Sequence, residues 1–386
     1  MPAVQFLALG KVVVMSTSVA AAGAAPAFNP WWTWAVPALS WAFLALYMLA
    51  PGMPGMALLL CVGLLGSVIS AVHHAEVIAH KVGEPFGTLV LALSVTTIEV
   101  ALIVSMMLSG DQAEAMALPR DTIFAALMII LNGIIGMSLL IGGRRHRVQH
   151  FQVEGMTDAL CTMTVIIVLA MLLPNFTQSS AVGTYTPLQL TFVAITTLVL
   201  FVAFTLFQTV VHRDYFMPVL SQTEQAQDSH AAPPSQADTW MSVVLLLVSL
   251  VAVVLSAKAI SPTLEALLGR WGAPASALGI IIAAIVLMPE FGAAMRNAAA
   301  NRLQSSLNLA IGSAIASIGL TIPVVALLAV YMGWPLELGL DGTSTVLLMM
   351  SLFVVALTLR TGSTTLQPGI VHLVIFAVYL FFSFVP

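Results

Sequence analysis

Charge is what this sequence lacks. Only 7% of its 386 residues are Asp, Glu, Lys or Arg, against about a quarter in soluble domains, so the chain cannot clothe itself in a solvated surface. Apolar side chains, 60% of the total, stand in their place. They come in runs of about 20 residues, each long enough to cross a bilayer as a helix. Transmembrane barrel strands are excluded, since they alternate polar and apolar residues over about 10 positions. Two cysteines provide neither a disulfide framework nor a zinc motif. Cys61 and Cys161 both fall in apolar runs and are expected to be small buried hydrophobes. A net charge of −4 suggests no nucleic-acid partner, and composition gives no reason to expect a soluble domain. The fold class is an all-α polytopic membrane protein.

Eleven spans are predicted, at residues 32–50, 53–72, 86–108, 122–142, 157–173, 188–211, 240–259, 275–294, 307–332, 344–359 and 369–384. Pro51, Pro54, Pro85, Pro174, Pro262 and Pro335 punctuate the joints, as helix breakers do. Residues 1–31 read as an N-terminal tail. Within it, Lys11 ahead of the small-residue run 19–25 has the faint outline of a signal peptide. The longest polar stretch, 212–239, holds Glu224, Asp228, His230, Pro233, Pro234 and Asp238. It reads as a flexible cytoplasmic linker between five-helix units at 51–211 and 240–386.

Orientation follows from the basic residues. A cytoplasmic N-terminus leaves Lys11, Lys81, Arg144, Arg145, Arg147, Arg213, Arg296, Arg302 and Arg360 inside and Arg120, Lys258 and Arg270 outside, accounting for all 12. The C-terminus then lies on the periplasmic side. Setting the first span apart leaves five plus five. An odd number of helices per half makes the second half enter the membrane from the opposite side, an inverted repeat with its site at the midplane.

Most acidic residues fall in loops or at helix ends, but Glu99 and Glu290 sit inside the third and eighth spans. A charge at the bilayer centre costs at least about 2.5–3.5 kcal/mol on insertion scales. Such a carboxylate is tolerated when protonated, paired or bound to a cation, and alternation between proton and cation is what an exchanger needs. Each acid falls in the second helix of its half, so the repeat puts them at equivalent positions. Ser94, Thr96 and Thr97 supply hydroxyls near Glu99. Pro289, just before Glu290, removes an amide donor and frees a carbonyl of the preceding turn. Asn132 and Gly133 lie mid-span in the fourth helix. Ser313 and Ser317 lie in the ninth, where Gly312 is expected to allow close approach. Carboxylate, carbonyl and hydroxyl oxygens suit hard cations such as calcium or sodium, which makes Glu99 and Glu290 the candidate metal ligands.

A second group, His73, His74, Glu76, His80 and Glu84, marks the inner end of the second span. His73, Glu76 and His80 share one helix face and read as a metal site, a proton relay or a solvated helix end. Two rival functions remain open at this stage. A cation channel would need a continuous pore, and an intramembrane metalloenzyme would be built on the His73–His80 face.

The stretch His73-His74-Ala75-Glu76-Val77-Ile78-Ala79-His80-Lys81-Val82-Gly83-Glu84-Pro85-Phe86-Gly87, followed by Leu91-Ala92-Leu93-Ser94-Val95 and Glu99, resembles the bacterial ChaA-type calcium/proton antiporters, in the CAX branch of the calcium/cation exchangers. So does Met288-Pro289-Glu290-Phe291-Gly292 with the run from Asn308 to Ser317. The resemblance covers roughly residue 35 to the end. It implies a secondary antiporter of the bacterial inner membrane rather than an enzyme, with no cofactor beyond the transported calcium, sodium or potassium and protons. It further implies Glu99 and Glu290 as the exchange carboxylates, Asn132 and Ser313 along the pathway, and Glu76 and Glu84 at the cytosolic entrance. Two features depart from the family. Many exchangers carry Gly-Asn-x-x-Glu before each acid, whereas Val95-Thr96-Thr97-Ile98 and Val286-Leu287-Met288-Pro289 stand here. The central loop, often strongly acidic, has only Glu224, Asp228 and Asp238. The residues leave the oligomeric state open.

Overall fold

A computed structural model of the chain describes residues 28–83, 86–108, 112–216, 234–274 and 276–385. Within them eleven helices are long and apolar enough to cross a membrane. Helix is the form such apolar runs adopt because hydrocarbon offers no water to the backbone, and a helix satisfies every N–H and C=O within its own segment. The helices are α1 (Trp32–Leu49), α2 (Met56–Val82), α3 (Phe86–Met107) and α4, which runs from Gln112–Met128 through a π turn at Ile129–Ile134 into Ile135–His146. Next come α5 (Val153–Ile167, prolonged by a π turn and a 3-10 turn to Phe176) and α6 (Pro187–Leu206, prolonged by a π turn to Val211). The second half holds α7 (Gln236–Arg270), α8 (Ser276–Ala299), α9 (Leu303–Met332), α10 (Gly342–Leu359) and α11 (Leu366–Phe384). Polar caps mark several starts. Thr186 and Gln189 form a capping box on α6, while Ser235 and Asp341 cap α7 and α10.

The packing obeys a two-fold exchange between α2–α6 and α7–α11. Helix α3 packs on α9, and α8 packs on α4. Helix α6 packs on α9, and α11 packs on α4. Helices α2 and α7 pack on each other, with α1 laid against both. The central mates α4 and α9 are the most enclosed of the spans.

Loop contacts show that the repeat is inverted. A two-stranded ribbon pairs Gln149 with Thr364 and His150 with Ser363, joining the α4–α5 loop to the α10–α11 loop. A lone bridge pairs Thr184 with Glu337, joining the α5–α6 loop to the α9–α10 loop. The two-fold exchange turns one contact into the other. Successive crossings place them on opposite membrane faces, as only an antiparallel repeat allows.

Four expectations change. Pro262 does not end a helix: α7 runs straight through it for 35 residues, about 52 Å at 1.5 Å per residue, because neighbouring helices make proline tolerable inside a membrane span. Cys161 is exposed rather than buried, since an apolar position in a membrane helix can face lipid as well as core; Cys61 is half-buried. A Cβ on Gly312 would meet nothing within 4 Å, so no helix approaches it. The close approach on α9 comes instead at Gly319, where an added Cβ would lie 2.9 Å from the Cβ of Phe201 on α6. The bulk of the linker (217–233), the tail up to residue 27, and Glu84 with Pro85 lie outside the described residues.

Candidate cation and proton site

Among the described residues, four carboxyl or imidazole side chains are buried: His74, Glu99, Glu290 and His372. Glu99 is 3% and Glu290 6% exposed, too little for solvent to carry either charge. Helices α3 and α8 bring these two acids to one helix, α9.

Ser313 of α9 donates to Glu290 Oε2 at 2.8 Å. Ser317 lies within 2.6 Å of both oxygens of Glu99. The two serines stand four residues apart and so share a helix face, about 6 Å apart along the axis. A single stripe of α9 thus holds an acid from each half of the protein. Carboxylate and hydroxyl oxygens gathered on one helix face are the donor type that hard cations take. Calcium takes such ligands at about 2.3–2.6 Å.

The stripe continues. Thr321, four residues beyond Ser317, is fully buried and its Oγ1 has no hydrogen-bond partner. Ser317 falls within the motif quoted from the sequence, but its bond to Glu99 spans 218 residues of chain and has no local signal. Thr321 alone went unnamed in the sequence, and the signal that could have found it is the four-residue spacing that runs on from Ser313 and Ser317.

Around Glu99 the hydroxyls separate. Thr96, three residues earlier, is buried on the same helix face. Ser94 and Thr97 are turned away by helix geometry, and each hydroxyl bonds its own helix, to the Val90 carbonyl at 2.8 Å and the Leu93 carbonyl at 2.6 Å. Pro289 stands inside α8 and leaves the carbonyl four residues back without its helical donor. Asn132 is fully buried in the π turn of α4, but its amide is engaged by Ser351 and His372 rather than by either glutamate.

The C-terminal end of α2 is packed rather than solvated. His73 Nε2 lies 2.9 Å from the Phe28 carbonyl, and the ring packs against Trp32 at a tilt of 59°. His74 sits between the Thr33 carbonyl and Ser242. Glu76 is exposed on this helix. Among the described residues, no three His, Cys, Asp or Glu side chains gather as a metal cluster. The histidines of this face are taken up by the segment leading into α1.

An inverted five-plus-five repeat with one buried acid per half defines a secondary transporter rather than an enzyme. The chain belongs to the sodium/calcium exchanger protein family, whose profile matches residues 53–210 and 241–385. It is 41% identical over 364 residues to y4hA of Sinorhizobium fredii, covering 92% of this chain and 97% of that protein. It is 34% identical over 329 residues to the sodium-potassium/proton antiporter ChaA of Escherichia coli, covering 84% and 87%. Among solved structures, the fold matches the H+/Ca2+ exchanger CAX with a TM-score of 0.68 at 18% identity, over 90% of this chain and 87% of that one. It matches native YfkE with a TM-score of 0.70 at 14% identity, over 92% and 100%.

Proposed function

We propose that this protein is a cation/proton antiporter of the inner membrane that exports calcium, and sodium or potassium, in exchange for protons. The observation that carries the reading is one α9 stripe holding an acid from each half, Glu290 on Ser313 and Glu99 on Ser317. The relationship to a sodium-potassium/proton antiporter and to a Ca(2+)/H(+) antiporter supports it. The N-terminus is cytoplasmic and the C-terminus periplasmic, a reading supported by the nine-to-three partition of the 12 basic residues.

From the cytoplasm, past Glu76 and Glu84, a cation reaches Glu99 and Glu290 and neutralises them. Ser313, Ser317 and Thr96 lie within the same stripe or face and complete the oxygen shell. The loaded site reopens outward, where protons displace the cation, and the protonated acids return. Coupling follows from electrostatics: the empty site with both acids ionised would carry two charges through a dry barrier that already makes one costly. The oligomeric state does not enter this cycle.

The test is proton movement in inverted vesicles, read with a pH-sensitive dye as each cation is added. Glu290→Gln and Glu99→Gln should each abolish exchange while still inserting, because glutamine keeps the shape and removes the titratable charge. A Glu290→Gln protein that still moved calcium or sodium against a proton gradient would overturn the proposal.

A further inference from the structure

The π turn Ile129–Ile134 lies at the centre of the molecule, packed on α8, which carries Glu290, and on α11. A π turn inserts an extra residue into a helix, tends to occur at functional places, and persists only where its surroundings hold it. What holds this one is a chain of side-chain bonds to two other helices.

Asn132, in the middle of the turn, places Nδ2 2.8 Å from Ser351 Oγ on α10 and 3.8 Å from the Met128 sulfur. Its Oδ1 faces His372 Nδ1 on α11 at 3.2 Å. Ser351 donates to the Leu347 carbonyl at 2.7 Å, and His372 Nε2 meets Thr358 Oγ1 at 3.2 Å. The chemistry assigns the hydrogens. With its own hydrogen on Leu347, Ser351 must accept from Asn132, which turns the amide oxygen toward His372. Nδ1 therefore carries the imidazole hydrogen, and Nε2 accepts from Thr358. Asn132, Ser351 and His372 are all fully buried. The α4 and α11 backbones meet so closely that a Cβ on Gly369 would lie 2.6 Å from the Leu140 amide nitrogen and one on Gly136 2.9 Å from His372 Cβ. There is no room for water to replace the bracket.

We propose that Asn132 and His372 are positioning residues for exchange: the bracket holds the π turn of α4 in shape against α8, and Asn132 is not a ligand of the cation. This rests on Glu99 and Glu290 being the exchange site. An asparagine binds a cation through its amide oxygen, and that oxygen is turned to the Nδ1–H of His372. Losing the bracket therefore slows the reorganisation of the site without changing the ligands that hold the ion.

The experiment compares rate against calcium concentration in proteoliposomes for wild type, Asn132→Ala, His372→Asn, His372→Gln and the pair Asn132→Ala with His372→Gln. Asparagine puts an N–H where Nδ1 stands, whereas glutamine reaches only the Nε2 position. Asn132→Ala and His372→Gln should lower the maximal rate about tenfold, the factor carried by one buried hydrogen bond of ordinary strength. Half-saturating calcium should stay within about twofold, and the double variant should be no slower than either single one. His372→Asn should run within about twofold of wild type. Three results overturn the proposal: half-saturating calcium rising tenfold in Asn132→Ala with the maximal rate kept, His372→Asn as slow as His372→Gln, or effects that multiply in the double variant. Should His372→Gln fail to fold, Thr358→Ala and Asn132→Ala beside His372→Asn make the same comparison. If Glu290→Gln also exchanges, the site reading fails instead, and the two failures are separable.

Discussion

Removing the Ser317 hydroxyl tests the shared stripe directly. Its oxygen lies 2.6 Å from both Glu99 oxygens, but one O–H supplies one hydrogen, so Ser317→Ala loses one charge-assisted bond rather than two. Such a bond contributes about 1.5–3 kcal/mol. At about 1.4 kcal/mol per factor of ten, its loss should raise the half-saturating cation concentration at least roughly tenfold. The carboxylate, no longer held, must be ordered by the cation itself. Helix α9 should survive, because alanine is the best helix former and the methyl keeps most of the packing. Ser313→Ala should behave alike through Glu290, to which Ser313 donates at 2.8 Å. The assay is cation-driven proton movement in proteoliposomes, with each cation titrated at fixed pH. A Ser317→Ala protein with unchanged half-saturation would refute the assignment of Ser317 to the site.

Two predictions concern stability. Burial raises the Asp341 carboxyl, but the Ser344 amide and hydroxyl, the Thr343 amide and the charge of Arg120 outweigh it and hold the carboxyl below its ordinary range. Because the folded protein binds that proton more weakly than the unfolded chain, the cap stabilises at neutral pH and is lost as pH falls through the depressed value, below about 4. Melting curves in detergent should show Asp341→Ala costing about 1 kcal/mol at pH 7, with the gap to wild type closing in acid; a gap that widened there would contradict the sign. On α9, Gly319→Ala should cost about 1–3 kcal/mol by overpacking Phe201. Gly312→Ala, with open space around it, should be neutral or stabilising by up to about 1 kcal/mol. Equal melting temperatures for the two glycine variants would contradict the packing of α9.

Where the sequence was hard to read, the reason is physical. The apolar runs placed eleven helices, yet nothing local says that Pro262 lies inside one of them, since the cost of proline depends on whether neighbours satisfy the freed carbonyl. Ser94, Thr96 and Thr97 look alike in the sequence. Helix geometry admits only Thr96 to the Glu99 face, and the other two hydroxyls close on their own helix. Asn132 stood out as a polar residue mid-span, but its partners lie 219 and 240 residues away. The histidines of α2 looked solvated because the segment that covers them, Phe28–Thr33, carries no periodic signal.

By itself, the sequence determined the solvent of this protein, its count of crossings, its inverted halves and the two acids that break the rule of the bilayer. Each of these follows from composition and spacing along one helix, where the hydrocarbon leaves few alternatives. Only the tertiary structure decided which hydroxyls meet those acids, that one face of α9 serves both halves, and that Asn132 points to His372 instead. Those pairings join residues up to 240 positions apart and depend on how helices rotate about their axes, which the lipid does not dictate and packing does.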